Sequence, residues 1–429
     1  MQRPDEKVPP DDLESSTPGR CSPSQEEDSE PPDGGRRAWL QVLCMHIVFF
    51  NTWGVANGFG VFQQYYRQTL TDQSPSSISW IGSAQVFLLF FVGVAAGRMT
   101  DAGHFLVTFC CGVFLQVVAI FMTSLATSYY QIFLAQAVCL GIGNGLAFSP
   151  ALVVLSQYFK RKRAFSVGVA AAGAAVGGLV YPTLLDQLIN HRGLGFPWTL
   201  RIMGFIMLAT YLPCLVWLRP RLAHRKTGPW IDVSAFTELP FVLFTLSFFF
   251  NFWGLYFAFF YMGTFARDKI GITDPIILIM ILNGVGIFGR IIPSIIADRW
   301  VGTLNSVVII SLAASLLVYC WAAVSSSGGL IAFTVVYGLL ASALQALFPA
   351  AATTMTPDPR RAGTRVGMIL CVVSFANLTG PSICGALIQS HDGSYLGAQA
   401  FAASSIFLGA AFAMATRIAK TGFFLKAKV

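Results

Sequence analysis

Gly97-Arg98-Met99-Thr100-Asp101-Ala102-Gly103-His104 is a short polar break between two long apolar runs. Ser294-Ile295-Ile296-Ala297-Asp298-Arg299-Trp300-Val301-Gly302 echoes it: both put an aspartate just past an apolar run and close on a glycine-marked turn. The two aspartates are 197 residues apart. Asn51-Thr52-Trp53-Gly54 returns 200 residues on as Asn251-Phe252-Trp253-Gly254. Gly168 and Gly367 are 199 apart, each shortly after an Arg-Ala pair, and Pro182 and Pro381 share that offset. Four pairs in one order at nearly one offset argue for a duplicated unit. Duplicated halves with unusual backbone at matching positions point to a solute-moving membrane protein.

Composition agrees. The chain of 429 residues is 55% hydrophobic and 11% charged, against roughly 25% charged in soluble domains. The net charge of +8 is no nucleic-acid footprint, because the Lys and Arg lie in short gaps between apolar runs. The nine Cys are scattered without CxxC or Cys/His ligand spacing, so neither a disulfide framework nor a metal site is expected. Residues 1–37 are rich in Pro, Ser, Asp and Glu, carry no apolar core, and are expected to be a disordered cytoplasmic tail.

Twelve apolar runs follow, each near the ~20 residues that a bilayer core requires. They span 39–62, 78–97, 105–125, 130–155, 165–187, 198–218, 236–261, 275–296, 304–324, 329–352, 366–389 and 395–417. The fold class expected is an all-α membrane protein with twelve transmembrane helices in two pseudo-symmetric six-helix bundles. The bundles are 38–218 and 236–418, with a cytoplasmic linker over 219–235 and a second tail over 419–429. Gaps after even-numbered runs hold Arg98, Lys160 to Arg163, Arg219, Arg221, Arg225, Lys226, Arg299, Arg360 and Arg361. Gaps after odd-numbered runs are poorer in basic residues. Basic loops stay inside, so both termini are expected in the cytoplasm; the plasma membrane is the expected location, with a vacuolar or other internal membrane as the alternative. The fifth run is nearly smooth from Gly168 to Gly178, which suits close helix approach and rocking. Asn377-Leu378-Thr379 reads as a glycosylation acceptor but lies inside the eleventh run.

Two six-run halves and the acidic motif after the second and eighth runs resemble the major facilitator superfamily. Gly97-x-x-x-Asp101-x-Gly103-His104 is similar to that superfamily's loop signature. Three further places resemble its monocarboxylate transporter family, in particular the fungal branch. These are Asp33-Gly34-Gly35 with Ala38-Trp39, then Tyr158-Phe159-Lys160-Arg161-Lys162-Arg163-Ala164 running into Gly168, and Arg290 inside the eighth run. The resemblance implies alternating access around a central cavity lined by helices one, four, seven and ten. Gly286 stands where lactate carriers have an Asp, and Gly60 where they have a Lys. That departure disfavours simple lactate symport and points to a larger or neutral organic substrate.

Arg290 is the sharpest candidate for substrate binding. A mid-membrane charge costs at least ~2.5 kcal/mol and is functional by default, and its forked donors suit an anionic or carbonyl oxygen. Asn283 lies seven residues earlier on the same helix face and is expected to partner it. Asn57, Gln64, Asn144, Tyr256 and Gln345 are the other expected cavity contacts. Asn51 and Asn251 are read as structural. Asp101 and Asp298 are expected to gate, pairing with Arg98 or Arg299 or capping a nearby helix. His46 and Asp186 are weak candidates for carrying a coupled proton.

There is no phosphate-cradling GxxxxGK[ST] and no Ser/His/Asp constellation, so no enzyme, cofactor or ATP hydrolysis is expected. The expected partners are a small organic solute, a proton as candidate co-substrate, and the lipid bilayer. The leading expectation is a secondary active transporter. The alternatives are a secondary-metabolite efflux transporter of the same fold and a non-transporting solute receptor.

Overall fold

The structure, a computed structural model, describes residues 32–221, 232–272, 275–355 and 362–422, the side chains at 101, 190, 353–354 and 362–363 excepted. Most of the expected tail over 1–37, the middle of the expected linker over 219–235, the end of the second tail and the Asp101 side chain therefore lie outside the described residues.

Twelve helices among the described residues are long and apolar enough to cross a membrane. In chain order they are α1 Gly35–Thr69, α2 Pro75–Thr100, α3 Phe105–Thr123, α4 Tyr129–Ser156, α5 Arg163–Ile189, α6 Gly195–Trp217, α7 Leu239–Ile270, α8 Ile276–Val301, α9 Thr303–Trp321, α10 Ser327–Ala352, α11 Thr364–Ser390 and α12 Leu396–Thr421. Each matches one apolar run of the sequence, usually with a turn added at the ends. Capping explains some of the added turns. Ser74 accepts the Ser77 N–H at 3.1 Å ahead of Pro75, and Ser326 accepts the Gly329 N–H at 3.2 Å, each satisfying an orphan donor of a first turn. α1 breaks its regular ladder at Gly58 and resumes at Phe59.

In the first half α1 packs on α5, α4 and α6, and α4 packs on α2 and α3. In the second half α7 packs on α12 and α11, α8 on α10, and α9 on α12 and α10. Large apolar side chains such as Phe114, Val216, Phe288 and Leu316 stay exposed, as a lipid-facing surface requires. The α1–α5 crossing shows why the smooth fifth run matters. A Cβ on Gly177 would stand 2.3 Å from the Phe50 carbonyl oxygen, so the two backbones meet only through glycine. Asn51 and Asn251 are structural: Asn51 accepts from Tyr181 Oη at 2.6 Å and donates to Thr210 Oγ1 at 3.0 Å. Asn251 donates back to the Ser247 carbonyl at 2.9 Å. Asn377 is 1% exposed inside α11, no place for a glycan.

The halves meet along α2–α11, α5–α8, α5–α10 and the second part of α1 with α7. One face of the bundle carries the start of α1, the end of α12 and the basic gaps; it is called the terminal face below. There the Asp33 carboxylate accepts the Lys160 and Arg161 N–H groups at 2.6 and 2.8 Å. The opposite face is closed by a tight seam between the halves. Phe59 and Phe260 rings stand 4.9 Å apart, Tyr261 and Ser79 hydroxyls are hydrogen-bonded, and Arg67 Nη1 lies 3.7 Å from Asp268 Oδ2.

Candidate functional site

A cavity lies between the halves. Its wall is aromatic: Phe49 and Trp53 from α1, Phe90 from α2, Phe148 from α4, Phe252 from α7 and Phe348 from α10. Arg290 and Gln345 supply its polar end. The lining also includes Ala352 and Val366, at the terminal-face ends of α10 and α11, so the cavity leans toward that face. Water-sized spheres can occupy only about 30 Å³ of it, about two waters' worth. A small organic solute needs more room, so the halves must part to admit one.

Arg290 is 1% exposed. Its Nη1 donates to Ser342 Oγ at 2.8 Å and to the Gly286 carbonyl at 3.3 Å, and its Nη2 donates to Gln345 Oε1 at 2.6 Å. A guanidinium has five N–H donors, so among the described residues these three hydrogen bonds leave two uncommitted. All three partners are neutral. A buried positive charge with neutral partners and donors to spare is suited to an incoming anion or polarised carbonyl oxygen. Gly286 matters here because a side chain at that position would crowd the Arg290 Nη1, 2.9 Å from a built Cβ. The absence of an Asp there is thus matched by a guanidinium folded over the vacant Cβ position.

The sequence-expected residues separate into three groups. Arg290 and Gln345 come together at the cavity. Tyr256 sits behind the wall, its ring stacked on Trp53 at 6.5 Å and 14°. Asn57, Gln64 and Asn144 are buried but do not line the cavity. Asn283 corrects the expectation that it partners Arg290. It donates to the Ile279 carbonyl at 3.0 Å and stands against Gly178 of α5. Seven residues is two turns, ~10.5 Å along the axis, and the Arg290 side chain turns instead toward α10.

The expected gating residues also resolve. Asp298 lies in a π-helical turn at the end of α8. Its Oδ2 accepts the Phe165 N–H of α5 at 2.9 Å, so it caps a helix of the other half. Arg299 lies over the Trp300 ring at 5.4 Å, which accounts for its charge without Asp298. Arg98 reaches Thr364 Oγ1 of α11 at 3.4 Å, again across the halves. His46 Nδ1 is 3.0 Å from the Val169 carbonyl, and Asp186 is 3.8 Å from His191 Nε2; neither lines the cavity.

The aromatic wall was not singled out from the sequence. Phe49 with Trp53 is an i,i+4 pair, a weak signal among 37 phenylalanines.

The model of the Major Facilitator Superfamily matches residues 42–327. An MFS-type transporter of Gibberella zeae is 42% identical, covering 91% of this chain and 88% of that protein. The aspyridones efflux protein of Emericella nidulans is 35% identical over 92% and 81% of the two chains. The agnestins efflux protein of Paecilomyces divaricatus is 34% identical over 98% and 96%. Among solved structures, a bacterial homologue of the human lysosomal transporter Spinster superposes with a TM-score of 0.60 at 16% identity, covering 90% of this chain and 98% of that one. With twelve apolar helices in two halves and this match, the chain is an integral, multi-pass membrane protein that belongs to the Major Facilitator Superfamily.

Proposed function

We propose that this chain exports a small organic metabolite by alternating access, taking it into the cavity from the terminal face and releasing it at the opposite one. The observation that carries this reading is Arg290, a buried charge with neutral partners at the end of an aromatic cavity between two halves. The aromatic wall suits apolar rings; the guanidinium suits one acidic or carbonyl oxygen. Export rather than uptake is favoured by two relatives, the aspyridones and agnestins efflux proteins. The terminal face carries the basic gaps, so in this reading it is cytoplasmic. Kinship with the monocarboxylate transporter family rests on the Asp33-Gly34-Gly35 and Tyr158 to Ala164 motifs, and the Asp33 contact with Lys160 and Arg161 physically joins the two.

The test compares metabolites in the medium and inside cells that carry the chain, lack it, or carry Arg290→Met or Arg290→Lys. Loss of the chain should move at least one metabolite from medium to cell. Arg290→Met should lower its export about 10- to 100-fold, the loss of one or two charge-assisted hydrogen bonds, at unchanged protein level. Lys keeps the charge without the fork and should fall between. Identical distributions with and without the chain would remove export, and full export by Arg290→Met would remove Arg290 from the site.

A further inference from the structure

Next to the aromatic cavity lies a second layer of side chains that the proposed site does not use. Asn57, Asn144 and Tyr256 each follow or precede a cavity-lining aromatic by four residues: Trp53, Phe148 and Phe252. Residues four apart share a helix face. Chain direction puts all three one turn nearer the face opposite the termini: α1 and α7 run toward that face, and α4 runs away from it. Asn57 and Asn144 are 0% exposed and Tyr256 is 1% exposed. Among the described residues both side-chain polar atoms of each asparagine and the tyrosine hydroxyl have no hydrogen-bond partner. Ser83 Oγ of α2 is in the same condition.

A buried polar group without a partner costs free energy, and a permanently closed interface rarely gathers several. Hydrophobic residues would close this region better if it never opened. The seam that covers the layer joins the two halves through few polar contacts, Ser79 with Tyr261, Ser76 Oγ donating to the Ser382 carbonyl at 3.2 Å and Arg67 with Asp268, beside the apolar Phe59–Phe260 pair. α1 also meets α7 there through Gly60, where a Cβ would stand 2.6 Å from the Phe259 carbonyl oxygen.

We propose that Asn57, Asn144 and Tyr256 form a second, uncharged wall of the solute path, closed in this conformation and exposed when α1 parts from α7. The wall offers amide and hydroxyl donors and acceptors with no formal charge, the chemistry that meets hydroxyl, carbonyl and amide groups of a solute whose rings leave the aromatic cavity. This inference rests on the alternating-access reading.

The test uses the full chain in sealed proteoliposomes and a membrane-impermeant methanethiosulfonate reagent, with labelling read at each position by peptide mass spectrometry. Asn57→Cys and Asn144→Cys should label slowly, from the face opposite the termini. Adding Tyr261→Phe, which removes the Ser79 clasp, should speed that labelling about tenfold, the factor one hydrogen bond sets. Ala174→Cys, on the cavity, should label from the terminal face, and Ala119→Cys, buried in the first half, should not label. Labelling of 57 and 144 no faster than 119, in a chain whose position 174 does label, would overturn the second wall and leave the cavity standing. Silence at 174 as well would overturn the alternating-access reading itself.

Discussion

The two halves solve one problem with different chemistry. Asp33 and Asp232 stand 199 residues apart, the same offset as the repeats, each shortly before the first helix of its half. Asp33 reaches the loop into α5 and accepts two backbone N–H groups, those of Lys160 and Arg161. Asp232 reaches the start of α11 and binds a side chain instead: Arg365 Nε donates to its Oδ2 at 2.9 Å. Glu238 completes that site, taking Arg365 Nη1 and Nη2 at 2.8 and 2.6 Å. A backbone donor is present at 160 or 161 for any residue except proline, so this tie does not depend on those side chains. The second half uses a guanidinium side chain, with the Ser234 hydroxyl also donating to Asp232. The two halves thus share a tie between lead-in segment and fifth helix but make it with different donors.

The largest effect should come from breaking the second-half tie. Arg365 is 4% exposed and the Asp232 carboxylate 8%. Arg365→Met removes the guanidinium and leaves that carboxylate without it. A broken buried ion pair costs about 3 kcal/mol at the low end of its range; the Glu238 arm, 43% exposed, adds little. Thermal unfolding in detergent should show a clearly lower Tm, with Arg365→Lys between the variant and the parent. An unchanged Tm in Arg365→Met would mean that the tie is redundant.

The first-half tie should cost less. Asp33→Ala removes two charge-assisted hydrogen bonds at the surface, about 1 kcal/mol. Neighbouring contacts persist: Tyr158 Oη donates to the Arg219 carbonyl at 3.1 Å. Burial pushes that phenol above its ordinary pKa, so it stays a donor at any physiological pH. Lys160→Ala or Arg161→Ala should change Tm little, because the backbone donors remain. A drop in either as large as in Asp33→Ala would break the comparison by showing that side chains carry this tie too.

Much of this architecture was legible in the chain. The duplicated motifs survive as short strings because each meets a local demand, such as Gly54 at a backbone crossing with Gly177. Arg290 was legible because a charge inside an apolar run has few structural excuses. The aromatic wall was not, since its members meet only across the fold. Phe90 and Phe348 lie 6.1 Å apart yet are separated by most of the chain, and phenylalanine in a span carries no mark of which way it faces. Asn283 was misread for a related reason: sharing a face with Arg290 says nothing about which neighbour covers each turn.

Asp298 gives the smallest effect on stability and the sharpest one on motion. Its carboxylate belongs to the second half but caps α5 of the first, through the Phe165 N–H. Asp298→Asn keeps an acceptor oxygen for the Phe165 N–H and loses the charge at that helix N-terminus, about 1 kcal/mol for that contact. That is too little to lower Tm much in a chain held by twelve packed helices. The contact spans the halves in the conformation described, with the opposite-face seam shut, so weakening it favours the alternative arrangement. About 1 kcal/mol shifts a two-state ratio about fivefold. Thiol labelling at Asn57→Cys from the face opposite the termini should therefore rise by up to about fivefold in the Asp298→Asn background. If labelling and Tm both stay unchanged, the cap persists in both arrangements, and Asp298 fixes the start of α5 without biasing the exchange between them.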